Sequence, residues 1–234
     1  MSIAYVNGAN SGALTNGLAA TTGTFSATAG NLLVAWIRWA DVTGASISTV
    51  TDVAGSTWNI GTKSALIGSD SYVQPAYAFN TPGSAVNTVA ITLTGSNFSL
   101  LTAADQFSGF GSSNPFNQEI HTWTTSGGTI TSASFTTGQP NSLAYVALAA
   151  ESASGSWAWS SAGGGATYSA AQATPGSNGA AGASFYKIYS STQTGITPAF
   201  VQASGAAGGL VLLEFDVAAV AASLGLLTLL GVGT

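Results

Sequence analysis

Three observations in this sequence predict an antiparallel, all-β fold. Apolar residues recur at every second position in several runs. Clusters of Gly, Pro, Asn and Asp separate those runs. No segment before residue 218 keeps a 3.6-residue apolar period. With 234 residues, 46% of them hydrophobic, the chain can bury a substantial core.

The elements follow in order. Residues 1–21 read as an N-terminal strand or arm. The stretch 31–39 (NLLVAWIRW) is apolar on both faces, the pattern of a central strand covered on each side, and Trp36, Trp39 and Trp58 read as core. Turns are expected at Asp52-Val53-Ala54-Gly55, Thr81-Pro82-Gly83-Ser84, Gly163-Gly164-Gly165 and 175–179 (PGSNG). Between Thr88 and Thr94, Val89, Ile91 and Leu93 alternate with Thr and Ala, the period of a half-buried strand. From Gly209 to Val217 one set (Val211, Leu213, Phe215) alternates with another (Leu210, Leu212, Glu214, Asp216).

A weak internal repeat appears at a spacing near 109 residues. Residues 74–80 (QPAYAFN) align with 183–190 (ASFYKIYS), and 102–107 (TAADQF) with 211–215 (VLLEF). The pseudo-repeats span about 22–110 and 129–217 of a sandwich covering 22–217. Two matched four-strand halves suit a double-Greek-key jelly roll or two tandem small sandwiches. The lack of a charged or Pro-rich linker near 110–130 favours one jelly roll.

Composition narrows the function classes. Only three basic and eight acidic residues occur, for a formal charge of −5, against 31 Ser, 29 Thr and 30 Gly. Three cations cannot neutralise a run of phosphates or hold an anionic lipid surface, which argues against nucleic-acid and membrane-surface binding. Without cysteine there is no disulfide, thiolate metal site or thiol nucleophile. The N-terminus shows neither the basic region nor the apolar region of a secretory signal. The final segment, 218–234, is uncharged and rich in leucine (Leu224, Leu226, Leu227, Leu229, Leu230). It is short and Gly-interrupted for a transmembrane span, and reads as an apolar tail for docking or oligomerisation.

Few residues invite chemistry. His121 is the sole histidine, and Glu119 stands two positions before it. Such a pair can act as general base or hold a metal, but after Asn114-Pro115-Phe116 it reads as a polar pair exposed on a loop. Glu214 and Asp216 share one side of the last long strand. Paired carboxylates can hydrolyse glycosides or bind calcium, yet on a solvent-facing strand they read as solubilising. Asp41, Asp52 and Asp70 sit in turn-like contexts. No catalytic residue, metal site or cofactor is assigned. Trp157 and Trp159, flanked by Ser and Gly, could stack on sugar rings or serve as core or subunit contact.

The order Gly30-Asn31-Leu32-Leu33-Val34, then Val50-Thr51-Asp52 with Gly55-Ser56-Thr57-Trp58, then Ala76-Tyr77-Ala78-Phe79-Asn80 with Pro82-Gly83, then Thr88-Val89, then Gln106-Phe107-Ser108-Gly109, resembles a diffuse family. Its members are jelly-roll β-sandwich proteins of tailed-phage virions and of bacterial surface or secreted proteins. The resemblance implies a jelly-roll-like sandwich and a virion or adhesive role. The missing signal and the apolar tail favour the phage kind: a capsid decoration, head-fibre or tail-associated protein that self-assembles and docks without catalysis, with a glycan-binding adhesin as the alternative. The expected partners are further copies of the chain, other virion proteins such as the major capsid protein, and a host surface polysaccharide. The expected location is the virion, reached from the host cytoplasm by lysis; the alternative is a bacterial cell surface.

Overall fold

The computed structural model describes residues 2–12, 15–40, 44–65, 67–68, 71–95, 98–124, 128–151, 159–163, 168–174, 180–202 and 207–217. Every regular element among them is a strand. The first half contributes β1 (Ala4–Asn10), β2 (Thr15–Gly17), β3 (Ala19–Thr21), β4 (Phe25–Ala27), β5 (Leu32–Ala40), β6 (Ile47–Asp52), β7 (Asn59–Ile60), β8 (Ser71–Ala78), β9 (Ser84–Asn87), β10 (Val89–Leu93) and β11 (Phe98–Ser108). The second contributes β12 (Phe116–Thr124), β13 (Thr129–Thr131), β14 (Ser142–Glu151), β15 (Trp159–Gly163), β16 (Ser169–Thr174), β17 (Ala180–Tyr189), β18 (Ala199–Gln202) and β19 (Gly208–Asp216).

The two halves have the same wiring. A large sheet runs β1-β11-β5-β8-β7 in the first half and β12-β19-β14-β17-β16 in the second. A small sheet runs β3-β10-β6 in the first and β13-β18-β15 in the second. The short β4–β9 pair is answered by a single bridge between Phe135 and Ile196. Each half therefore has the strand order of a jelly roll. The all-β, jelly-roll-like sandwich expected from the sequence is present. Strands of three or four residues, too short to announce themselves, help to complete a small sheet over the large one in each half.

Three apolar clusters show how the layers stack. Leu33, Ala35, Ile37 and Trp39 of β5 face Val89, Ile91 and Leu93 inside the first roll. Val146, Leu148, Leu210 and Leu212 face Ile130 and Phe200 inside the second. Between the large sheets, Leu32, Val34, Trp36 and Phe107 meet Leu143, Tyr145, Leu213 and Phe215. The result is four layers, with the large sheets back to back. Central strands β5 and β19 are thus buried on both faces, which period-2 alternation in 209–217 could not reveal. β10 buries one face only, as its alternation predicts. Trp36 and Trp39 are fully buried, and Trp58 packs at the margin of the first core.

Candidate functional site

The seam between the large sheets has approximate two-fold symmetry. Leu32 pairs with Phe107 as Leu143 pairs with Phe215. Tyr5 stacks on Tyr186 with ring centroids 5.1 Å apart, and Phe116 stacks on Tyr77 at the same 5.1 Å. Phe107 meets Tyr186 edge-on at 5.3 Å, and Phe215 meets Tyr77 edge-on at 5.3 Å. Each triad takes two rings from one half and one from the other. The arrangement is that of an isologous dimer interface inside one chain.

Polar residues break this symmetry. Asp105 is fully buried on β11 and accepts hydrogen bonds from the Tyr145 hydroxyl (2.6 Å) and Ser184 Oγ (2.8 Å), both in the other half. At the equivalent places stand Leu213, Val34 and Pro75. Burial and the Asp105 charge hold the Tyr145 hydroxyl well above the usual phenol range, so it stays a donor. Trp36 lies directly against Gly182, where a Cβ would collide with the indole.

Glu119 and His121 are not on an exposed loop. They sit on edge strand β12, facing the seam, with His121 Nε2 2.9 Å from Glu119 Oε1 and both side chains largely covered. The Thr62 N–H of the first half donates to Glu119 Oε1 (2.9 Å) and Oε2 (3.2 Å). The pair therefore pins the 61–62 segment across the seam. No group of three or more His, Cys, Asp or Glu suited to a metal occurs among the described residues.

The Glu214–Asp216 pair is also not solvent-facing as a unit. Glu214 is fully buried and accepts hydrogen bonds from Asn117 Nδ2 (2.5 Å), Gln118 Nε2 (3.0 Å) and the Gly138 N–H (3.2 Å). Gln106 does the same in the first half, accepting the Thr28 N–H at 2.8 Å. Asn7 reaches the Ser26 carbonyl as Gln118 reaches that of Thr136. Glu214 is therefore a loop tether that both halves possess. Asp216 is what the second half adds. Burial, then its hydrogen bond to Glu214 and that group's charge, push its carboxyl up to about 7.

One concave surface gathers unused polar groups. A cleft of about 360 Å³ opens at the end of the first half, lined by Gly55, Thr57, Asn59, Phe79, Asn80 and Pro82. Asp52 shapes one wall, accepting from Ser56 N–H (2.7 Å), Ser56 Oγ (2.7 Å) and Asn87 Nδ2 (3.2 Å), the self-contained turn expected of it. The other wall is a corner at Asn80, whose φ of 50° is left-handed. Buried Thr81 holds that corner through the Asn31 carbonyl. Sequence patterns give no sign of this site, because its two walls are twenty or more positions apart.

Trp157, Asp41, Asp70 and the tail residues Leu224, Leu226, Leu227, Leu229 and Leu230 lie outside the described residues. Trp159 opens β15, where its backbone pairs with Gln202. Among the described residues no helix is long and apolar enough to cross a membrane. Comparison with protein-family models, curated proteins and solved structures found no match to the chain.

Proposed function

We propose that the chain is a non-catalytic structural protein of a phage particle, a capsid decoration, head-fibre or tail-associated component that works by docking and self-association. The observation that carries this reading is how little charge remains outside. Arg38, Asp105 and Glu214 are buried, so of the three basic and eight acidic residues only eight can serve the exterior. Such a surface repels its copies weakly, and exposed Val53, Val86 and Trp123 add apolar contact points. A pair of jelly rolls joined back to back suits a stiff projection.

The chain is expected on purified particles in a copy number matching their symmetry. A chain without residues 218–234 is expected to lose that attachment or its oligomeric state. Particles lacking the chain, together with a full-length chain that stays monomeric in light scattering at every concentration, would overturn the reading.

A second reading is a glycan-binding module, carried on such a particle or on a cell surface. The uncharged, amide-lined cleft favours it, since neutral sugars are held by amides, hydroxyls and aromatic faces rather than by ion pairs.

A further inference from the structure

We infer that the cleft between residues 55–59 and 79–82 binds one ring of a neutral polysaccharide. The inference rests on the glycan-binding reading and gives it a place and a ligand class. At about 360 Å³ the cleft lies at the small end of the range for ligand sites, ~300–1,000 Å³, so it suits a single sugar unit with its neighbours running out into solvent.

The lining supplies the chemistry of a hexose ring. The side chains of Thr57, Asn59 and Asn80 make no hydrogen bond among the described residues. Other amides nearby are fully engaged: Asn87 bonds Ala54 N–H and Asp52, and Gln74 bonds Ile47 N–H and the Gly61 carbonyl. A free carboxamide offers two donors and an acceptor, which matches adjacent sugar hydroxyls. Phe79, partly buried against the central core, and Pro82 give an apolar surface for the C–H face of the ring.

Charge decides the class of sugar. No ionisable side chain lines the cleft. Asp52 behind it is consumed by Ser56 and Asn87. Lys63 spends its ammonium on the carbonyls of Gly44 (2.7 Å) and Ala45 (3.0 Å) and on the Tyr72 ring. An acidic or phosphorylated sugar would find no cation there to offset its lost hydration.

The fold does not require this cleft. Ser169 stands opposite Tyr186 where Asn59 stands opposite Tyr77. Beyond it, Ile188 and buried Tyr189 take the places of Phe79 and Asn80, and Tyr189 is joined at 3.0 Å to the buried Tyr168 hydroxyl. In the second half Tyr189, bonded to Tyr168, thus takes the seat that exposed Asn80 holds in the first, while the counterparts of Gly55 and Thr57 lie outside the described residues. Because both walls are held by internal hydrogen bonds, binding would need little ordering.

The test uses full-length chain on immobilised neutral polymers (dextran, mannan, galactan), with polygalacturonate as the charged comparison. Asn59→Thr suits an edge strand, and Asn80→Gly suits a left-handed corner, so the double variant should melt like wild type. It is expected to bind the preferred neutral polymer at least about tenfold more weakly, the effect of losing two hydrogen bonds. Trp157→Ala and Trp159→Ala are expected to bind as wild type. Neutral-polymer binding that survives the double variant and fails in a Trp variant would overturn the cleft while leaving the glycan reading. Stronger binding of polygalacturonate through Asn59 and Asn80 would overturn the neutral class. A wild type that holds none of the polymers overturns both the cleft and the glycan reading.

Discussion

The Asp105 carboxylate accepts a hydrogen bond from the Tyr145 hydroxyl at 2.6 Å across the seam between the two halves. Neither group reaches water, and the position equivalent to Asp105 in the second half is Leu213. Asp105→Ala should remove the shared acceptor of the Tyr145 and Ser184 hydroxyls and cost about 2–4 kcal/mol, read from urea midpoints. The triple change Asp105→Leu, Tyr145→Phe, Ser184→Ala removes the acid with its two buried donors, leaving of its donors the half-buried Tyr5 hydroxyl (3.5 Å from Asp105 Oδ1), and should recover most of that loss. A triple variant no better than Asp105→Ala would mean that the node contributes more than mutual satisfaction.

Gly182 gives the Trp36 indole its place. Gly182→Ala is expected to cost about 1–3 kcal/mol through overpacking. Adding Trp36→Phe shortens the ring and should return part of it, a coupling that a double-mutant cycle measures. Purely additive losses would place the strain elsewhere.

Asp216 sets a pH dependence. Its folded carboxyl is raised to about 7 against an ordinary value of 3.8. Between those values the folded chain keeps a proton that the unfolded chain gives up, so this contribution is full below 3.8 and is lost as pH rises through about 7. The stability of wild type relative to Asp216→Asn should therefore decline across that window and level off above it. Parallel curves for the two proteins would sink this assignment.

Glu119 acts locally. Glu119→Ala removes the acceptor of the Thr62 N–H. Hydrogen exchange at Thr62 should rise at least about tenfold while global stability changes by less than about 1 kcal/mol, as befits a partly exposed tether. Unchanged exchange at Thr62 would show that the 61–62 segment is held by other means.

Where pattern and burial have the same period, the sequence was readable. The doubly apolar run 31–39 became a central strand, and Val89, Ile91 and Leu93 became the buried face of β10. The aligned stretches 74–80 and 183–190 place Tyr77 and Tyr186 in equivalent seats. What stayed hidden was which faces are covered twice. Alternation put Glu214 on a polar face, but that face meets a second small sheet. Asp105, set in an otherwise plain strand, gains meaning only from Tyr145 and Ser184, forty and more residues away. The cleft was hidden for the same reason, its walls at 55–59 and 79–82 being brought together only by the fold.

Housing both partners of the seam in one polypeptide has a consequence that two separate copies could not share. In a homodimer every substitution is made twice, so an acid placed on one side of the axis is also placed on the other. Here each side mutates alone, which allows one carboxylate where its counterpart is leucine, and an exposed Asn80 where its counterpart is the buried Tyr189. Dilution cannot part the two sheets either, because their encounter is intramolecular.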